Sequence, residues 1–163
     1  MDIIFTKRPD GGASLRCIRD DGSETWNNTP YPAVIRHDLT HYVVETELGF
    51  RRAFYGLLAE GYDISSFALP QTQRPAALSP MHLPQEAYQT EILVGLLQTE
   101  QVDSLSYTHF VALLVEVCLQ KEVRPPSLSD TQLKAIRTRI TQLWHQWRAL
   151  SEKETLRLEF ILP

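Results

Sequence analysis

Long apolar runs are missing from this chain, and none reaches the roughly 18 residues that a membrane-spanning helix needs. The amino terminus, MDIIFTKRPDGG, lacks the charged-then-apolar pattern of a signal peptide, so a cytoplasmic protein is expected. A basic excess is missing too. Lys and Arg number 16 against 20 Asp and Glu, giving a net charge of −4 and a poor electrostatic start for binding duplex nucleic acid or an anionic membrane. Cysteine is scarce: Cys17 and Cys118 sit in apolar surroundings and form no metal-type pair, so they read as small core residues in a reducing compartment. Internal repeats and low-complexity tracts are absent, and no nucleotide cofactor is evident. What remains, 163 residues at 43% hydrophobic and 22% charged, has the proportions of one globular domain spanning 1–163.

The pattern along the chain predicts an α+β fold, a bundle of about five helices with a small, mostly antiparallel sheet. Residues 1–30 alternate the β-prone runs IIFT, SLRCIR and SETW with turn signals, as two hairpins would. Asp21-Gly22 is the sharpest of these, expected as a tight type I′ turn with positive φ at both central residues. Near the other end Leu156, Leu158, Phe160 and Leu162 alternate with Arg157, Glu159 and Ile161, which predicts a closing strand over 155–162. That strand requires a sheet, so both ends of the chain are expected to pair around a helical body, 33–150.

Within the body, Pro30 and Pro32 set the start of a helix over 33–48 that stops at Gly49, and a second, 50–60, is expected to fold back on it. Residues 63–84 carry Pro70, Pro75, Pro80 and Pro84 and read as a lid, a binding loop or a long crossover. A helix from Pro84 to about Gln101 follows. The next, 106–121, is apolar almost all round and is predicted to be central. A final helix begins at Ser129, which can form a capping box with Gln132, and runs amphipathically to Leu150. Its Lys134, Arg137, Arg139, His145 and Arg148 beside Trp144 and Trp147 fit a solvated basic face better than a nucleic-acid surface.

The chemistry is concentrated in His37-Asp38-Leu39-Thr40-His41. Histidines at i and i+4 of a helix lie one turn apart on the same side, close enough for both rings to meet one divalent ion. On the helical wheel His37, His41 and Glu45 share an arc with Val34, Val44 and Leu48, while Arg36, Thr40 and Glu47 form the solvent stripe. Rings turned inward require a hydrogen bond or a metal. Two carboxylates compete for the third position, Glu60 after the expected fold-back and Glu91, which interrupts an apolar arc of the 84–101 helix. His82 in the Pro-rich segment is expected in solvent, and His109 with Glu116 would fit a separate buried polar pair.

HDLTH resembles HExxH, the zincin motif, in which two histidines bind zinc and the intervening Glu activates water; the resemblance implies Asp38 as that base. Glu60-Gly61-Tyr62, 18 residues beyond His41, is similar to the Glu-Gly-aromatic third-ligand context of gluzincin aminopeptidases. The longer string HDLTHYVVETELGFRRAFYGLLAEG resembles small uncharacterised bacterial proteins with an HDLxHYxVE helix, for which no activity is implied. His37-Asp38 is also similar to the pair in HD-type phosphohydrolases, but those need a further histidine upstream and this chain has none before residue 37.

Two functions therefore stand at the level of sequence. One is a small bacterial metal-binding protein, zinc first, with His37, His41 and either Glu91 or Glu60 as ligands; as an enzyme it would be a metal-dependent hydrolase using Asp38. The other is a non-catalytic structural or interaction protein in which the same histidines and carboxylates form a buried hydrogen-bond network. Nothing in the sequence selects a protein partner or an oligomeric state.

Overall fold

A computed structural model describes residues 1–29, 31–100 and 104–161; Pro30, Gln101 and Leu162, which the sequence assigns to element ends, lie outside the described residues. The architecture is α+β, as expected. Strands β1 (Asp2–Lys7), β2 (Ala13–Ile18), β3 (Glu24–Thr29) and β4 (Thr155–Glu159) form one antiparallel sheet in the order β3-β2-β1-β4. The first and last strands pair directly, Ile3 opposite Leu158 and Phe5 opposite Leu156. Alternation explains the faces: Ile3, Phe5, Leu15, Cys17 and Leu156 turn to the helices and are buried, and the Phe5 ring meets Trp147 edge-on.

The hairpin at Asp21-Gly22 is present, but its turn is not type I′. Gly22 alone takes positive φ, 82°, and Arg19 and Ser23 close a three-residue loop by a backbone hydrogen bond. The Asp21 carboxylate accepts from the Ser23 amide and hydroxyl, at 2.9 and 2.7 Å, which suits a non-mirror turn and lowers the pKa of its carboxyl.

Six helices follow. α1 (Pro32–Leu48) ends at Gly49 in the left-handed region, φ 67°, whose amide bonds the Glu45 carbonyl. α1 is the central element, packed against α6 (Asp130–Ala149), α4 (Gln85–Thr99), the short α2 (Phe54–Ala59) and β3. Thr40, expected on its solvent stripe, is buried and returns its hydroxyl to the Arg36 carbonyl. The predicted central helix is instead peripheral: α5 (Tyr107–Gln120) buries Phe110, Leu114 and Cys118 and leaves Leu119 67% exposed. Apolar residues on every side therefore did not mark the centre, because α5 packs chiefly on α4 alone.

α2 is shorter than the expected 50–60 helix because the backbone turns at Arg51-Arg52-Ala53 before entering it. The Glu86 carboxylate accepts from the Arg51 and Arg52 amides at 2.8 and 2.6 Å and fixes that turn. The Pro-rich stretch holds more structure than expected. It contains α3 (Ile64–Ala68) and two 3₁₀ turns, Gln71–Gln73 and Ala76–Leu78, with Pro70, Pro75 and Pro84 each standing immediately before a helical segment. The fixed proline φ suits that position, where no N–H is needed. The Ser129–Gln132 capping box forms in both directions.

β4 is both the outer partner of β1 and a lid on the helices, since Phe160 beyond it is buried and the Tyr42 hydroxyl donates to the Glu159 carbonyl at 3.0 Å. Removal of residues 155–163 should uncover the β1 edge and give insoluble or non-cooperatively melting protein. A truncated chain with an unchanged, cooperative melt would show the strand to be dispensable.

Candidate metal centre

Helix α1 carries His37 and His41 on the side that faces α4, and Glu91 comes from the opposing stretch of α4. The His37 and His41 Nε2 atoms are 3.1 Å apart, and His41 Nε2 lies 3.4 Å from Glu91 Oε1. One ligand atom from each of the three falls within 4.8 Å of the others, so the group is able to hold a metal ion. Two donors about 2.05 Å from a tetrahedral zinc stand roughly 3.3 Å apart, the spacing found here. The burial is graded: His41 is 3% exposed, His37 half-buried, and the Glu91 side chain 61% exposed, leaving one side of the group open to solvent.

Glu45, one turn beyond His41, is fully buried. Its Oε2 accepts from the Tyr55 and Gly56 amides at 2.9 and 3.2 Å, joining α1 to the start of α2. Its Oε1 faces His41 Nδ1 at 3.6 Å, beyond hydrogen-bond reach, and neither atom has another partner among the described residues. A carboxylate behind the outer nitrogen of a ligating histidine is the arrangement that sets ring orientation and tautomer in metal sites. The fold of the 51–53 turn onto α2 depends on glycine. An added Cβ at Gly56 would stand 1.9 Å from the Arg51 carbonyl oxygen.

Charge follows from the same packing. Burial, and then the neighbouring His41, lower the pKa of His37, which keeps its ring neutral with a lone pair to offer. Burial resists the charge on His41, but the Glu45, Glu91 and Asp38 carboxylates outweigh it and raise its pKa. Burial also raises Glu45, and it pushes the Asp38 carboxyl up to about 7, against the opposing pull of His41.

Of the residues picked out from sequence, His37, His41 and Glu91 come together. Glu60 does not: it pairs with Arg52 at 2.9 Å at the far end of α2, where the turn at 51–53 has placed an arginine beside it. Asp38 is outside the three-residue group, half-buried on the adjoining stripe of α1, with its carbonyl accepting from the Tyr55 hydroxyl. His82 is exposed and contacts Ser79, while His109 and Glu116 are both exposed and form no buried pair. Cys17 and Cys118 are free and buried, as expected, and burial raises the Cys17 thiol to about 12, leaving it inert at neutral pH. The sequence places Glu45 on the histidine arc but carries no signal for its grip on the α2 amides, which any residue type could donate. The described helices include none long and apolar enough to cross a membrane. Compared with protein-family models, curated proteins and solved structures, the chain matches none.

Gly56→Ala should cost about 3 kcal/mol or more by forcing Arg51 out of place, read as a lowered urea midpoint. Asp38 sets a pH dependence whose sign is fixed. Its folded value of about 7 exceeds the ordinary 3.8, so its contribution is intact below pH 4 and is lost as pH rises through 7. Asp38→Asn, neutral at every pH, should match the wild type at pH 4 in chelator and exceed it at pH 8 by up to about 4 kcal/mol. A variant equally weakened at both pH values would show instead that the charged carboxylate is a structural acceptor.

Proposed function

We propose that this protein binds a divalent metal ion through His37, His41 and Glu91, with Glu45 holding the His41 ring from behind. The observation that carries this reading is the convergence of the two Nε2 atoms and the Glu91 carboxylate, 3.1 and 3.4 Å apart, at a partly open edge of an otherwise buried cluster. Two imidazoles and one carboxylate form a donor set used by catalytic zinc sites, and imidazole-rich sets also suit nickel, copper and iron. Zinc is the first choice. In a hydrolytic reading Asp38, next to His37 in the sequence, is the carboxyl that would accept a proton from water. The resemblance of HDLTH to the zincin motif supports that role, although the third ligand here is Glu91 and not a residue at the gluzincin interval. The similarity of the same helix to small bacterial proteins, and the two unpaired buried cysteines, fit a cytoplasmic bacterial setting.

One observation favours a second reading. At 3.1 Å the two imidazoles can hydrogen-bond directly, one donating and one accepting, which satisfies both inner nitrogens with no metal. The protein would then be a structural or interaction module with a buried polar cluster.

Melting tag-free protein with stoichiometric zinc, nickel or manganese separates the two. A bound ion should raise the midpoint by mass action, His37→Ala and Glu91→Gln should each remove most of the rise, and chelator should reverse it. An unmoved wild-type melt together with no heat of binding would leave the hydrogen-bonded cluster as the explanation.

A further inference from the structure

Beside the three candidate ligands lies a pocket of about 220 Å³, whose lining includes His41, Glu91, Phe54, Phe67, Leu78 and Arg74. The wall opposite the histidine helix comes from the Pro-rich segment. Phe54 and Phe67 meet edge-on at 5.1 Å, and Phe54 also packs 5.7 Å from the His41 ring, so the aromatic surface runs directly up to the ligand set. Arg74 is the cation of this lining. Its Nε donates to the Leu69 carbonyl at 2.8 Å, which anchors the side chain and leaves both Nη groups without an acceptor among the described residues. Glu91, in the same lining, forms no ion pair with Arg74 within 4 Å; its contact is with His41. The chemistry is thus an anchored guanidinium fork, an apolar middle, and a 97% buried imidazole whose Nε2 faces the other two candidate ligands.

We propose that this pocket binds a small monocarboxylic acid with a short branched or aromatic body, its carboxylate on Arg74 and its hydrocarbon between Phe54, Phe67 and Leu78, beside the residues His37, His41 and Glu91 that would hold the ion. The proposal rests on the metal reading above. A guanidinium fork matches two carboxylate oxygens in one plane, which a lone ammonium would not. The volume corresponds to about seven waters at roughly 30 Å³ each, room for an acid of four to seven carbons. Largely apolar pockets with few convergent polar groups are the usual form of small-molecule sites.

The test uses the full chain, first titrated with zinc and then, zinc-loaded, with 3-methylbutanoate by calorimetry. The acid should bind, 3-methylbutanamide and inorganic phosphate should not, and acetate should bind at least tenfold more weakly. Arg74→Met should weaken 3-methylbutanoate at least tenfold while leaving the zinc titration unchanged. Arg74→Lys, which keeps charge and stem, should lose less and guards against a folding defect. Zinc binding without acid binding, or equal binding by Arg74→Met, or phosphate binding as tightly as the acid, would overturn the proposal and leave the metal reading standing. No zinc binding would overturn the metal reading and this proposal with it.

Discussion

Glu45 places a carboxylate in the centre of the molecule, where an unpartnered charge costs several kcal/mol, and two backbone amides of α2 accept that burden. These contacts do two jobs at once. They satisfy amides at the start of a short helix, and they seat the second carboxylate oxygen behind His41. The turn at 51–53 packs directly on the first turn of α2, and it can do so only because residue 56 has no side chain. Position of the His41 ring, the turn at 51–53 and the aromatic cluster of Phe54 and Tyr55 therefore stand or fall together.

The sheet contributes from the other side. Pairing of β1 with β4 brings Phe160 over Tyr55 and the Glu159 carbonyl onto the Tyr42 hydroxyl, so the closing strand touches the helix that carries the histidines. α6 holds the opposite flank through Leu133, Ile136 and Ile140, with Arg139 lying over the Tyr42 ring. α1 is enclosed by these contacts, which is why polar residues such as Thr40, His41 and Glu45 are found inside.

Much of this was legible in the sequence wherever one periodicity dominates. The alternation of Leu156, Leu158 and Phe160, the stripe of α6 and the i, i+4 histidines each translate into a face without tertiary information. Ranking helices by centrality failed for α5 because composition measures how apolar a helix is and not how many neighbours it has. Choosing between Glu60 and Glu91 also required the third dimension, since the decision turned on Arg52 and on the packing of α4 against α1. The structure within 63–84 escaped because its turns are only three to five residues long, too short to show a period.

The prolines of that segment have a further consequence. Fixing one residue's backbone costs about 1–2 kcal/mol, and a pyrrolidine ring meets part of this covalently before the chain folds. Pro70 and Pro75 each sit at the head of a turn and Pro84 at the head of α4, so the wall that carries Arg74 and Leu78 is restricted even in the unfolded ensemble. A molecule entering the pocket meets a wall in which part of the ordering cost has already been met covalently, and its own contacts supply correspondingly less of it.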